Sequence, residues 1–207
     1  MFFKYGLLVV AYLIGSIPFS VIFGLKFKGI DVRRHGSGNP GGTNSLRFLG
    51  KKVGLLVILS DVSKGALFVI LIKYNILGDS EDFLNPLVYG MAATFGHAFS
   101  IYIKFRGGKA VGTGGGMIIA YDPVLAVIGA LFFFGTLKLT KFVSMASTVA
   151  ALSIVLLAVI FKDYDLLPVS IVLASLVLFR HQTNYKKIYK GIESKTYWLD
   201  IKKPDTK

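Results

Sequence analysis

FVSMASTVAALSIVLLAVIF, residues 142–161, is a run of twenty residues without a charged side chain. An α-helix rises about 1.5 Å per residue, so this run is long enough to cross a hydrocarbon core of roughly 30 Å. Six further apolar runs, three of them shorter, lie at 5–25, 53–72, 83–103, 110–121, 123–137 and 166–179. The pattern predicts an all-α integral membrane protein with about seven transmembrane helices, some of them short or broken.

The composition indicates the same class. Of the 207 residues, 54% are hydrophobic and 17% are charged, whereas soluble domains average about 45–50% and about 25%. The chain contains no cysteine, which excludes disulfide frameworks, thiolate zinc sites and cysteine nucleophiles. A formal charge of +13 would suggest nucleic-acid binding in a soluble protein, but a membrane protein carries its Lys and Arg on cytoplasmic loops. We therefore expect no nucleic-acid partner.

Basic residues concentrate on alternate loops. Twenty of the 24 Lys and Arg residues lie in 26–52, 104–109, 138–141 and 180–207. The positive-inside rule places these segments in the cytoplasm, which puts the N-terminus outside and the C-terminus inside. We interpret 186–207 as a basic cytoplasmic tail, either solvated or lying on the membrane surface near Tyr197 and Trp198. The rest, 1–185, is interpreted as a single polytopic membrane domain with candidate active-site loops on the cytoplasmic side at 26–52, 104–109, 138–141 and 180–185.

The longest of these loops, residues 26–52, combines six glycines with polar and basic side chains. Glycine lets backbone N–H groups converge on an anion without interference from a Cβ atom. Arg47 adds a guanidinium fork that suits phosphate or carboxylate. Further donors come from the hydroxyl and amide side chains of Ser37, Asn39, Thr43 and Asn44. The loop predicts an anion site, and a flexible basic connector is the alternative.

The second loop, residues 104–109, reads KFRGGK and runs into an uncharged segment. Gly107 and Gly108 before a helix start, with Lys109 in its first turn, would place N–H groups and an ammonium around one anion. The alternative is that these basic residues only hold the loop inside.

In the last inside loop His181 and Asn184 are three residues apart and would share a helix face.

Three ionisable side chains interrupt the apolar runs. His97 lies near the cytoplasmic end of the run at 83–103, where such a group usually faces the bundle interior and marks function. Asp61 and Lys64 are spaced i, i+3 in one run, so we expect them to neutralise each other in a structural role.

Several familiar motifs are excluded. Gly36-x-Gly38-x-x-Gly41 matches a dinucleotide fingerprint in letters, but no βαβ unit surrounds it, and Gly108-Lys109 lacks the rest of a P-loop. Aspartates on the inside loops are too few for a magnesium cluster of the CDP-alcohol transferase type. No histidine starts the His-x₄-Asp pair of the common glycerolipid acyltransferases.

Taken together, six segments of the chain resemble the bacterial acyl-phosphate:glycerol-3-phosphate acyltransferases, the PlsY family. They are Gly-Ser-Ile-Pro-Phe-Ser (15–20), Gly-Ser-Gly-Asn-Pro-Gly-Gly-Thr-Asn (36–44), Gly-His (96–97), Lys-Phe-Arg-Gly-Gly-Lys-Ala-Val (104–111), Val-Ser-Met-Ala-Ser (143–147) and Arg-His-Gln-Thr-Asn (180–184). The resemblance runs from the first helix to about Glu193. Thr183 departs from the family, which commonly has glutamate there.

The resemblance implies a seven-helix enzyme of the bacterial plasma (inner) membrane with its active site on the cytoplasmic side. It would transfer a fatty acyl group from acyl phosphate to the 1-hydroxyl of sn-glycerol 3-phosphate, giving lysophosphatidic acid and inorganic phosphate, the first acylation of phospholipid synthesis. No cofactor is expected, the partners are membrane lipids and the two substrates, and functional coupling to the enzyme that makes acyl phosphate is a further expectation. The rival interpretations are a transporter for an anionic phosphorylated metabolite and a structural membrane scaffold.

The resemblance also distributes roles among the residues of the loops. The catalytic candidates are Lys109, His97, His181 and Arg47. The candidates that it gives for binding substrate are Ser37, Gly38, Gly107, Gly108, Ser144 and Asn184. The loop donors Asn39, Thr43 and Asn44 are added as candidates because of their side-chain chemistry, and no metal ligand is expected. The proton acceptor stays open among His97, His181 and the departing phosphate.

Overall fold

The computed structural model describes residues 2–196, and this part of the chain contains α-helices, short 3₁₀ turns and loops. The 3₁₀ turns are Val32–Arg34, Ser80–Asp82 and Ile101–Ile103. The α-helices are α1 (Phe2–Gly15), α2 (Phe19–Lys28), α3 (Gly42–Phe48), α4 (Gly50–Lys73), α5 (Pro86–Ala98), α6 (Val111–Tyr121), α7 (Pro123–Thr140), α8 (Val143–Ile160), α9 (Leu166–Arg180) and α10 (Gln182–Tyr189). The predicted all-α class is confirmed.

Four segments of the described chain are long and apolar enough to cross a membrane, or five if a bent pair counts as one span. The first of the four combines α1 and α2, and the other three are α4, α7 and α8. The bent pair is formed by α9 and α10, which meet at 50°. Helices α5 and α6 are shorter. A count of seven spans and the outside position of the N-terminus remain predictions.

The first predicted span is broken where the sequence places its proline. Helix α1 ends at Gly15 and α2 begins at Phe19, with Pro18 at the N-cap position. Proline has no N–H to donate, so it interrupts the helical ladder and leaves carbonyl groups to be satisfied from elsewhere. Lys64 of α4 donates to the Ile17 carbonyl at 3.0 Å, and Ser100 donates to the Ser16 carbonyl.

The apolar run at 83–103 does not form one continuous helix, contrary to our prediction. Helix α5 starts only at Pro86, because the Asn85 side chain accepts from the Leu87 N–H at 3.0 Å and proline suits the first helical turn. It ends at Ala98. A tight turn follows, in which Lys104 and Phe105 adopt left-handed backbone angles with φ of 55° and 59°.

Helices of the first compact unit, whose described part is 2–124, approach each other at backbone distance. A Cβ atom on Gly65 of α4 would lie 1.9 Å from the Thr113 carbonyl oxygen of α6. Gly15 of α1 meets the Ala93 carbonyl oxygen of α5 in the same way, at 2.1 Å. Small residues at such crossings let transmembrane helices pack through their backbones.

Residues 125–196 are the described part of a second compact unit. It contains most of α7 together with α8, α9 and α10, and α8 packs against α9. After α10 the chain turns back, and the Thr196 N–H donates to the Lys141 carbonyl at 2.9 Å. The predicted tail therefore begins inside α10, while its aromatic residues Tyr197 and Trp198 lie outside the described residues. The division of the whole chain into 1–185 and 186–207 remains a prediction.

Candidate active site

The first glycine-rich loop is held together by the side chain of Asn44. This amide is buried, and it donates to the carbonyl oxygens of Val32 at 3.1 Å and His35 at 3.0 Å. Its oxygen accepts from the Ser37 N–H at 3.3 Å. Buried polar groups of the backbone need partners, and one side chain supplies three of them here. Asn44 therefore shapes the loop, and its predicted contact with a substrate remains a prediction.

The entrance to this loop carries a charged pair. The Asp31 carboxylate accepts from the Arg33 backbone N–H at 3.0 Å and from its guanidinium at 2.7 Å. This guanidinium lowers the pKa of Asp31 from 3.8 to about 2, and the carboxylate in turn raises the pKa of Arg33. The pair closes the 3₁₀ turn that precedes the glycines.

The polar residues in the middle of the loop are more accessible than Asn44. Ser37 is exposed, and Asn39 and Thr43 are half-buried. Gly38 has a left-handed backbone with φ of 69°. Arg47 is exposed in the last turn of α3. These side chains thus extend from a loop whose backbone is held in place by the buried amide of Asn44.

The second glycine-rich loop is built on His97 and Ala98. The N–H groups of Gly107 and Gly108 donate to the carbonyls of Ala98 at 3.2 Å and His97 at 2.9 Å. A Cβ atom on Gly108 would lie 2.1 Å from Nε2 of His97. Only glycine therefore fits where this turn crosses the imidazole ring.

We predicted that Lys109 lies in the first turn of the following helix, and this prediction is wrong. Ala110 adopts a left-handed conformation with φ of 65°, so α6 begins only at Val111. The first-turn amides of α6, which have no acceptor inside the helix, belong to residues 111–113. Lys109 is half-buried and lies between the glycine turn and this helix start.

His97 belongs to a buried charged cluster that the sequence did not reveal as one group. Its Nδ1 lies 3.4 Å from Oδ1 of Asp61, and the same oxygen is 2.9 Å from Nζ of Lys64. All three side chains are buried. The predicted Asp61–Lys64 pair is confirmed. The addition of His97 depends on the packing of α5 against α4, and spacing along the chain carries no signal for it.

This cluster faces a small cavity where the two loops converge. The cavity has a volume of about 10 Å³, close to the room that one water molecule occupies. Pro40 of the first loop and Gly107 and Gly108 of the second line it together with His97 and Asp61. Pro40 is fixed there because the Ser20 hydroxyl donates to its carbonyl at 2.8 Å. The structure thus brings both predicted loops to one point.

The remaining site candidates lie in the second unit. His181 is buried, and its Nδ1 is 2.8 Å from the Val177 carbonyl, so this nitrogen carries the proton. Asn184 donates to Oε1 of Glu193 at 2.6 Å, and the Ser144 hydroxyl donates to the same oxygen at 3.5 Å. Glu193 was not among the predicted residues, because the chain reaches it only by turning back after α10. Within residues 2–196 no three His, Cys, Asp or Glu side chains form a group that could hold a metal ion.

Comparison with known proteins decides the family. The family described as glycerol-3-phosphate acyltransferase matches residues 5–191. The chain belongs to the glycerol-3-phosphate acyltransferase family. A glycerol-3-phosphate acyltransferase of Staphylococcus carnosus is 45% identical over 197 residues, covering 93% of this chain and 98% of the relative. One of Bacillus cytotoxicus is 42% identical over 195 residues, covering 94% and 96%.

Solved structures agree with this assignment. The acyltransferase superposes on the crystal structure of PlsY (YgiH), an integral membrane glycerol 3-phosphate acyltransferase, in its glycerol 3-phosphate form. The TM-score is 0.86 at 34% identity, over 96% of this chain and 98% of that one. The form with lysophosphatidic acid gives 0.82 at 33%, over 95% and 97%. The chain is a multi-pass integral membrane acyltransferase, which disfavours the transporter interpretation, and the predicted family is confirmed.

Proposed function

We propose that this acyltransferase uses acyl phosphate as its donor and acylates the 1-hydroxyl of sn-glycerol 3-phosphate. The observation that carries the proposal is the convergence of the two glycine-rich loops on one small cavity beside His97. A reaction between two anionic phosphorylated molecules needs two anion sites held close together, because proximity supplies much of the rate. Arg47 on the first loop and Lys109 on the second supply one positive charge each.

The chemistry of the donor suits this simple set of residues. The 1-hydroxyl oxygen attacks the acyl carbon, and the π electrons of the carbonyl move onto its oxygen. Collapse of the tetrahedral intermediate breaks the bond between the acyl carbon and the bridging phosphate oxygen. The electron pair leaves with phosphate, which finally carries the hydroxyl proton. A mixed anhydride is reactive enough for this transfer without a covalent acyl-enzyme, provided that positive groups stabilise the developing negative charge.

The roles of the predicted residues follow from this reaction. Ser37, Gly38, Asn39 and Thr43 would contact the phosphoryl groups at the first loop, and Lys109 at the second. Gly107 and Gly108, whose N–H groups donate to the carbonyls of Ala98 and His97, would shape the turn that precedes Lys109. The resemblance adds Ser144, His181 and Asn184 as candidates for binding or activating substrate. The carboxylate of Glu193 holds the amide of Asn184, and we expect it to keep that amide in a fixed orientation.

A donor comparison tests the proposal. Purified protein receives labelled glycerol 3-phosphate with acyl phosphate, acyl-CoA or acyl-carrier protein, each with and without a chelator. We expect lysophosphatidic acid and an equal amount of inorganic phosphate from acyl phosphate alone, at the same rate in the chelator. Comparable product from either of the other donors, or loss of activity in the chelator, would contradict the proposal.

We also propose that the active-site loops face the cytoplasm across the bacterial inner membrane. The support is the concentration of 20 basic residues on alternate loops. Because the chain lacks cysteine, single cysteines at the exposed positions Lys51 and Asp79 report sidedness directly. An impermeant thiol reagent should label the cysteine at 79 in intact cells and the cysteine at 51 only after lysis. The reverse pattern would overturn the orientation.

A further inference from the structure

Asp61 is buried at the middle of α4, where an ionised carboxylate is costly. Its partner Lys64 offsets part of this cost, and Lys64 is itself anchored on the Ile17 carbonyl at the break between α1 and α2. A pair that only neutralised itself would need no third member. The carboxylate nevertheless has Nδ1 of His97 at 3.4 Å, so its position is coupled to the imidazole.

The imidazole in turn determines the shape of the second glycine-rich loop. The turn passes over the ring so closely that a Cβ atom on Gly108 would overlap Nε2. The backbone of the same histidine accepts the N–H of Gly108 at 2.9 Å. Any rotation of the ring therefore moves the turn, and Lys109 follows directly after it in the chain. The contacts run in sequence from Asp61 to His97, to the glycine turn, and to Lys109.

We infer that Asp61 is a positioning residue for the acyl transfer. It holds the His97 ring in one orientation with the proton on Nδ1. The glycine turn packs against this ring, so the ring fixes the position of the turn and of Lys109, which follows it. A carboxylate facing a ring nitrogen fixes which nitrogen carries the proton, because a carboxylate can only accept. The inference rests on the proposed function, since it assigns Lys109 to the binding of a phosphoryl group.

The tautomer of His97 gives the first test, and it requires no activity. The chain has three histidines, so the ¹⁵N NMR spectrum of histidine-labelled protein is simple, and the signals of His97 are identified by their loss in His97→Gln. At neutral pH we expect Nδ1 of His97 to carry a proton and Nε2 to carry none. A ring with its proton on Nε2, alone or together with Nδ1, would overturn the inference. Failure of the protein to use acyl phosphate would leave this result unchanged, which separates the two proposals.

A kinetic cycle gives the second test. Asp61→Asn alone would leave the buried ammonium of Lys64 without its carboxylate, so the variant used is Asp61→Asn/Lys64→Met, which removes both charges. We expect kcat/KM to fall by roughly tenfold or more in a variant whose thermal transition still shows a folded protein, as displacement of a binding group costs rate. The same double change in a His97→Gln background should cost less than about twofold further.

The matched control is Thr94→Val, one helical turn before His97 in α5. This side chain is fully buried, and its hydroxyl donates to the carbonyl of Gly90 at 2.8 Å in the same helix. The kcat/KM of the Thr94→Val variant should therefore stay at the wild-type value. If the neutral pair variant keeps wild-type kcat/KM, Asp61 serves only to balance Lys64 and the inference is wrong. An equal loss with and without the His97→Gln change would contradict it as well.

Discussion

The two glycine-rich loops look alike in sequence, yet they keep their shapes in different ways. The first, at 26–52, is held by a side chain, since Asn44 bonds three backbone groups of the loop. The second, at 104–109, is held by the backbone and ring of His97, against which Gly107 and Gly108 lie. One loop can therefore be opened by deleting an amide, whereas the other is disrupted by adding a single methyl group.

The largest effect is expected from Gly107→Ala in the second loop. The added Cβ atom would lie 2.0 Å from the His97 carbonyl oxygen, a backbone atom that cannot rotate away. The turn must shift, and a misplacement of about 1 Å can cost about 100-fold in rate. We expect kcat/KM, measured by lysophosphatidic acid formation, to fall by about that factor.

The matched control for this change is Gly115→Ala in α6, where no heavy atom lies within 4 Å of the added Cβ. Alanine favours a helix over glycine by about 1 kcal/mol, so this variant should keep its activity and gain slightly in Tm. Wild-type activity in Gly107→Ala would show that the second loop tolerates an added Cβ atom, and the comparison between the loops would fail.

Asn44→Ala should have the next largest effect. It removes three hydrogen bonds, to the Ser37 N–H and to the carbonyls of Val32 and His35, and a typical hydrogen bond contributes about 0.5–1.5 kcal/mol. We expect a clear drop in Tm and a fall in kcat/KM of about tenfold or more. Ser45→Ala, next in the chain, removes a single bond to the Gly41 carbonyl and should change both quantities much less.

Removing one positive charge from each loop comes next. Arg47→Ala and Lys109→Ala should each lower kcat/KM by about tenfold, which corresponds to about 1.4 kcal/mol of transition-state stabilisation. Lys52→Ala removes an exposed charge of the same sign nearby in the chain and should change kcat/KM little. Equal losses in all three variants would mean that the loops act through their total charge, and the assignment of individual residues would be refuted.

The smallest effect concerns the pair at the entrance to the first loop. Because the pKa of Asp31 is lowered in the folded protein, its contribution to stability is present above pH 3.8 and disappears as the pH falls toward 2. Arg33→Ala should raise that pKa toward 3.8, as followed by NMR of the Asp31 carboxyl carbon. Stability and activity near neutral pH should barely change, since exposed ion pairs contribute little. If the pKa of Asp31 does not change in Arg33→Ala, a group other than Arg33 lowers it.

Much of the fold could be predicted because composition decides it locally. The runs at 123–137, 142–161 and 166–179 correspond closely to α7, α8 and α9, since charged or proline residues bound them. The run at 83–103 was misjudged because hydropathy does not register a cap or a turn. Asn85-Pro86 was a visible helix-start signal, whereas the left-handed angles of Lys104 and Phe105 arise from the turn itself.

The site was predictable to the extent that it depends on local chemistry. Glycine and basic residues in two loops indicated where anions could bind, and the structure brings those loops to one cavity. The contact between Asp61 and His97 joins residues from two helices, and its existence depends on how the helices pack. Likewise, Asn44 looked like a ligand because its amide could serve either a substrate or the loop, and sequence cannot distinguish the two.

The shortness of α5 has a consequence for how substrate reaches the enzyme. Its 13 residues extend about 20 Å, less than the roughly 30 Å of the hydrocarbon layer. The chain beyond its end is irregular, which at such a depth is tolerated only where protein or trapped water surrounds the backbone. The chemistry would then take place below the headgroups. A lipid-like donor could arrive, and its product leave, by lateral diffusion in one leaflet, so turnover would follow the donor's mole fraction in the bilayer and not its concentration in bulk water.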